Sequence, residues 1–193
     1  LAQALRAGGL PRYLGIARDR LDSLRPLVQE GLATASVLIL TGGVSSGKLD
    51  LVPDVLRDSG VVAHFHKGEM KPGKPLFFGT CNHATGKKYV FGLPGNPVSS
   101  FVCFELFLRP AIRKLAGYSD LELPTLSARL KEPFRHTADR PTYHPADLQW
   151  DESGLVVRAV PWIGSADLRA FVQANALLEL PAGEHHWPEG ATM

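Results

Sequence analysis

Gly92-Leu93-Pro94-Gly95-Asn96-Pro97 places two glycines and two prolines between an apolar lead-in, Tyr89-Val90-Phe91, and an amphipathic run, Phe101-Val102-Cys103-Phe104-Glu105-Leu106-Phe107. Proline fixes φ, removes a backbone donor and is tolerated in the first turn of a helix, so this pattern predicts a strand, a stiff turn and a helix beginning at Pro97. The first N–H groups of such a helix have no intrahelical acceptor, which makes the turn a wall suited to an anion. It serves equally well as a cap of purely structural use.

The same alternation runs through the residues ahead of the turn. Strands are predicted at Tyr13 to Ala17, Ser36 to Thr41, Val61 to His66, Pro75 to Gly79 and Lys88 to Phe91. Helices are predicted at Asp19 to Ala33, Asp50 to Ser59 with Pro53 in its first turn, and Pro97 to Ala116. The expected fold class is α/β, a doubly wound and mostly parallel sheet with helices on both faces and ligands beyond the strand carboxyl ends. After the polar stretch Tyr118 to Pro124 come short strands, Leu126 to Leu130, Ala146 to Trp150, Leu155 to Val160 and Ala176 to Leu180, punctuated by turns. A small C-terminal β-barrel or sandwich is expected there, giving domains 1–120 and 121–193. Leu1 to Ala7 starts inside a helical pattern with no cap, and the end at Met193 falls where a strand is beginning, so the chain reads as a fragment.

Composition narrows the function classes. The 193 residues are 45% hydrophobic and carry a formal charge of only +2, with basic residues scattered rather than massed. That argues against a nucleic-acid partner, and no run has the length and apolarity of a membrane span or secretory leader. A cytoplasmic protein is expected. The two cysteines, Cys81 and Cys103, lack metal-ligand spacing and suit a reducing compartment.

Three segments could carry chemistry. Gly42-Gly43-Val44-Ser45-Ser46-Gly47-Lys48 has the spacing of a P-loop, but Leu49 stands where such a loop needs a magnesium-binding hydroxyl. Asp50, at the predicted helix start, can either hold Mg²⁺ through its waters or cap the helix. Lys67, Lys71 and Lys74 share a loop stiffened by Pro72 and Pro75, so they can surround a multiply charged oxyanion or form a solvated basic turn. His64 and His66 share one strand face by alternation, but without a third ligand they read as ordinary residues. The turns around Arg140 and Ser165 are polar and otherwise unexceptional.

Taken together, Thr41-Gly42-Gly43-Val44-Ser45, Met70-Lys71-Pro72-Gly73-Lys74-Pro75, Phe91 to Ser99, Phe107-Leu108-Arg109-Pro110 with Leu115-Ala116-Gly117, and Ala174 to Pro181 resemble, in order and spacing, the molybdopterin molybdenumtransferase family and the related gephyrin E domain. The resemblance implies a transferase of molybdenum cofactor biosynthesis that joins molybdate to adenylylated molybdopterin with Mg²⁺ and releases AMP. It implies catalytic roles for Asp50, Lys67 and Lys71, with Mg²⁺ at Asp50. Gly42, Gly43, Ser45, Pro94, Gly95, Asn96 and Pro97 would form the pterin-nucleotide loops. Molybdate would meet Lys71, Lys74, Pro75, Ser99, Arg140 and Ser165. The resemblance also implies a homodimer in the full-length protein, a molybdopterin adenylyltransferase as partner, and an N-terminal strand and N-terminal domains that this chain lacks.

The chain departs from the family pattern at Lys48, where an acidic residue is common. It departs again at Asp139-Arg140-Pro141-Thr142-Tyr143, where Gly-Arg-Pro-Glu-Phe is usual. Alternatives are an adenylyltransferase-like or competence-damage-type nucleotide-binding protein, against which the Pro72-Gly73-Lys74-Pro75 segment and the barrel speak, and a non-catalytic gephyrin-like scaffold. A P-loop NTPase is disfavoured by Leu49.

Overall fold

The computed structural model describes residues 1–44, 51–152 and 154–193. They form two compact units, the first from Leu1–Gly68 and Gly73–Leu123, the second from Pro124–Met193 together with the short segment Glu69–Pro72.

The first unit runs α1 (Ala2–Arg6), α2 (Leu21–Thr34), β1 (Val37–Thr41), α3 (Val52–Asp58), β2 (Val62–Phe65), β3 (Phe77–His83), β4 (Gly86–Leu93), α4 (Pro97–Cys103) and α5 (Arg109–Leu115). The α/β class is as expected, and the sheet has the order β1-β4-β3-β2. It is more mixed than the sequence suggested: β1 and β4 are parallel, whereas β4–β3 and β3–β2 are antiparallel. Only residues 84–85 separate β3 from β4, and a link that short can close only an antiparallel hairpin.

Leu24, Val28 and Leu32, spaced by four along α2, join Val55 and Leu56 of α3 in one core with Leu38 of β1 and Val90 of β4. Each such aliphatic side chain contributes about 1.5–3 kcal/mol on burial. Gly31 lets α2 approach the sheet, since a Cβ there would come 2.5 Å from Leu38 Cδ1. Lys88 is buried in β4 and donates from Nζ to the carbonyl of Ala35 at 2.9 Å. Ala35 is the residue that ends α2, so the ammonium sits at the negative end of the helix.

Two expectations change. Tyr13 to Ala17 forms no strand: it has no ladder partner among the described residues, Gly15 within it has a φ of 109°, and Tyr13 and Ile16 are exposed. The long helix from Pro97 is interrupted by a π-helical turn at Phe104–Leu108 between α4 and α5. Pro110 has no N–H for the carbonyl four residues back and its ring crowds that carbonyl, which the wider turn relieves.

The second unit contains β5 (Arg129–Leu130), β6 (Phe134–Ala138), β7 (Thr142–Asp151), β8 (Gly154–Ala159), α6 (Leu168–Gln173), β9 (Ala176–Leu180) and β10 (Gly183–Trp187). Its strands make a four-stranded sheet, β5-β8-β7-β9, and a two-stranded one, β10-β6. The pairings among the described residues therefore do not close a barrel. Leu130, Ala146, Val157, Leu178 and Leu180 form its core. The polar strands β6 and β10 are not legible as strands in the sequence. They pair antiparallel, with Phe134 and Trp187 stacked at 6.1 Å, so cross-strand aromatic packing supplies what their composition lacks.

Candidate functional site

In the first unit the carboxyl ends of the parallel strands β1 and β4 lie side by side. Thr41 is in register with Leu93, and the next amide, Gly42 N–H, donates to Leu93 O at 3.0 Å. The loops that follow therefore leave the sheet together. Gly42 and Gly43 have φ of 81° and 67°, which glycine adopts without strain. A Cβ on Gly95 would lie 3.6 Å from Gly42 Cα, so the two loops meet backbone to backbone.

The turn Pro94 to Pro97 is shaped from inside. Pro94 is buried and its carbonyl accepts from Ser100 Oγ, while Ser100 N–H donates to Asn96 O at 2.9 Å. Gly95, Asn96 and Pro97 are exposed at the entrance of α4. Ser99 is almost wholly buried in the first turn. The hydroxyl that pins the turn is thus that of Ser100, which the sequence reading did not single out.

The glycine loop is held from two further directions. His66 Nε2 donates to Val44 O at 2.9 Å, and Val44 is buried against Gly92, where a Cβ would meet Val44 Cγ1 at 2.6 Å. The expectation that His64 and His66 share a face fails. Pairing between β2 and β3 shifts register between Ala63 and Phe65, and β2 ends at Phe65. His64 packs on Phe78 and hydrogen bonds Thr80 Oγ1, whereas His66 packs on Phe77. Phe77 and Phe78 point to opposite faces of β3.

Lys67 and Lys74 are exposed, and their segments are tied by Gly68 N–H donating to Lys74 O at 2.9 Å. Pro75, half-buried, follows. Cys103 Sγ, fully buried in α4, donates to Gly73 O at 3.7 Å. Burial pushes the Cys103 thiol up to about 12, so it is a neutral donor rather than a nucleophile.

Lys71 lies in the segment Glu69–Pro72 of the second unit, whereas Lys67 and Lys74 lie in the first. The Lys71 N–H donates to Pro141 O at 2.9 Å and its carbonyl accepts from Tyr143 N–H at 2.8 Å, forming a parallel bridge with Thr142. Thr142 Oγ1 donates to Arg140 O at 3.2 Å. The structure thus unites Lys71 with Arg140, whose Nε lies 3.2 Å from Asp139 Oδ1. Ser165 is half-buried in the turn ahead of α6.

Around Lys71 the imidazoles are held neutral. Burial pushes His144 down to about 4 against the opposing Nε2–H bond to Val160 O at 3.0 Å, and the charge of Lys71 adds to the shift. His136 is lowered by burial first and by Lys71 and His185 after it. A lysine and an arginine on two backbone segments joined by this bridge, beside imidazoles that resist protonation, can meet a doubly charged oxyanion.

Ser45 and Asp50, and with them most of the P-loop-like stretch through Lys48, lie outside the described residues. Among the described residues no three His, Cys, Asp or Glu side chains converge as a metal site. His66, Ser100, Cys103 and Thr142 carry little sequence signal, because each acts through a backbone carbonyl that only folding brings near.

The probable molybdopterin binding domain matches residues 1–114, and the MoeA C-terminal region (domain IV) matches residues 127–193. A relative called Gephyrin from Dictyostelium discoideum is 38% identical, covering 92% of this chain and 27% of itself. Molybdopterin molybdenumtransferase from Bacillus subtilis (strain 168) is 32% identical over 100% of this chain and 44% of its own length. Its counterpart from Nostoc sp. (strain PCC 7120 / SAG 25.82 / UTEX 2576) is 34% identical, covering 92% and 41%. Among solved structures, the molybdopterin biosynthesis moeA protein from Pyrococcus horikoshii OT3 superposes with a TM-score of 0.70 at 24% identity, covering all of this chain and 45% of that one. That likeness shows the fold. The chain spans less than half the length of these relatives. With the binding-domain match over the first unit's glycine and proline loops and the second match over the strands that hold Arg140, this chain belongs to the molybdopterin molybdenumtransferase and gephyrin family.

Proposed function

We propose that the protein carrying this chain is a molybdopterin molybdotransferase, joining molybdate to adenylylated molybdopterin and releasing AMP in molybdenum cofactor biosynthesis. The observation that carries this reading is the backbone-to-backbone meeting of the Gly42-Gly43 loop with the Pro94-Gly95-Asn96-Pro97 turn at the carboxyl ends of β1 and β4. In an α/β sheet this is where ligands bind. The exposed turn Gly95-Asn96 at the entrance of α4 suits the phosphate of the pterin nucleotide, while Lys71, Lys74 and Arg140 supply charge for molybdate and Lys67 and Lys71 act in catalysis. Pro75, Ser99 and Ser165 complete the proposed molybdate set.

Molybdate and the adenylylated pterin are substrates, so the work of the protein is to hold two anions together and to stabilise the charge that develops as the adenylate leaves. The backbone bridge from Lys71 to Pro141 and Tyr143 ties its segment to the turn that carries Arg140, which keeps the two chain segments from separating during that step. Mg²⁺ is assigned to Asp50, a residue outside the described ones. The same reading carries a cytoplasmic homodimer supplied by a molybdopterin adenylyltransferase, with this chain alone inactive.

The test is AMP release from adenylylated molybdopterin and molybdate by the full-length protein. Asp50→Ala and Lys71→Ala are expected to abolish it; unchanged release in both variants overturns the site. A second reading, a non-catalytic scaffold, is favoured by the match to a relative named Gephyrin. Binding of a receptor-derived peptide by a protein without transferase activity selects it.

A further inference from the structure

We infer that Thr142 is a positioning residue for the two cations Lys71 and Arg140, and that its hydroxyl sets their spacing for an oxyanion. Thr142 is fully buried, at 0% exposure, although it is the first residue of β7 and follows an exposed turn. Its neighbours on both sides are occupied by Lys71: Pro141 O accepts from Lys71 N–H, and Tyr143 N–H donates to Lys71 O. Its own Oγ1 reaches back across Pro141 to Arg140 O at 3.2 Å. One residue therefore holds the backbone of both cations, Lys71 through the peptide groups that flank it and Arg140 through its side chain.

Residue type matters at this position. A β-branched side chain suits the strand start and the in-register pairing with Leu180 of β9. Valine would satisfy that requirement alone. The hydroxyl adds a side-chain donor for the Arg140 carbonyl two residues back. Without that donor the carbonyl of Arg140 is freed, and the guanidinium, paired with the exposed Asp139 carboxylate, loses its fixed origin relative to Lys71. Arg140 and Lys71 keep their charges, so the loss falls on geometry rather than on electrostatic strength.

The inference rests on the proposed transferase reading. Its test uses the full-length protein and compares Thr142→Val, which removes the hydroxyl and keeps the branch, with Thr142→Ser, which keeps the hydroxyl and removes the methyl. One hydrogen bond corresponds to roughly 5-fold in affinity, so Thr142→Val is expected to raise the KM for molybdate about 5-fold with kcat and the KM for the pterin substrate little changed. Thr142→Ser is expected to restore the molybdate KM even where its thermal stability is lower than that of Thr142→Val. An unchanged molybdate KM in Thr142→Val, or an equal rise in both variants, overturns the positioning role. Lys71→Ala separates the two levels: if it too leaves conversion intact, the transferase site itself is wrong, whereas loss in Lys71→Ala with no effect in Thr142→Val removes the inference alone.

Discussion

Gly92 lies under Val44, so close that a Cβ at position 92 would come 2.6 Å from Val44 Cγ1 and 3.1 Å from Phe77 Cβ. The last turn of strand β4 and the glycine loop after β1 are thereby packed as one piece, with His66 holding Val44 from its carbonyl side. Gly92→Ala must push Val44 away. We expect a destabilisation of about 1–3 kcal/mol, the range for overpacking a tight site, together with weaker binding of AMP as a probe of the nucleotide loops. Urea unfolding and AMP titration check it, and unchanged values in both would show that the contact yields freely.

Lys88 is a buried lysine whose ammonium is committed to Ala35 O. Lys88→Met preserves the length and apolar stem but leaves the carbonyl at the end of α2 without its donor. A loss of about 1–3 kcal/mol is expected, the cost of an unsatisfied buried acceptor. A melting temperature equal to that of the parent protein contradicts this.

His144 makes the second unit sensitive to acid. Its folded value lies near 4 against an ordinary 6.5, so between those pH values the unfolded chain takes up a proton that the folded chain refuses. This contribution to stability is complete above pH 6.5, falls as pH drops towards 4 and is flat below. Its full extent is on the order of 3 kcal/mol. Measuring stability against pH for the parent and for His144→Gln should show a shallower slope in the variant across that window; parallel curves would assign the acid sensitivity elsewhere.

Cys103 and Cys81 are both buried, and burial raises both thiols above their ordinary range, Cys81 against an opposing pull from Lys88. Neither should react with a thiol reagent at pH 8 until the protein unfolds. Rapid stoichiometric labelling of the native protein would show that the Gly73–Cys103 latch opens.

Much of the first unit is legible from local rules. The Pro/Gly turn at 92–97 forecasts the end of β4 and the start of α4, because proline and glycine act on the residues beside them. The spacing of Leu24, Val28 and Leu32 forecasts the buried face of α2. The two-residue link between β3 and β4 dictates their antiparallel pairing, a signal that strand–helix alternation by itself does not weigh. Simple alternation puts His64 and His66 on one face, and the register shift between Ala63 and Phe65 separates them.

The lysine loop marks the division most sharply. Its sequence determined that Lys67, Lys71 and Lys74 would sit on a loop stiffened by Pro72 and Pro75, because proline's constraint is local to its own peptide unit. Only the tertiary structure decided that Lys71 bridges to Thr142 beside Arg140. That pairing is made by backbone groups 71 residues apart in the chain, and backbone groups are alike in every sequence, so composition and spacing carry no record of which ones will meet.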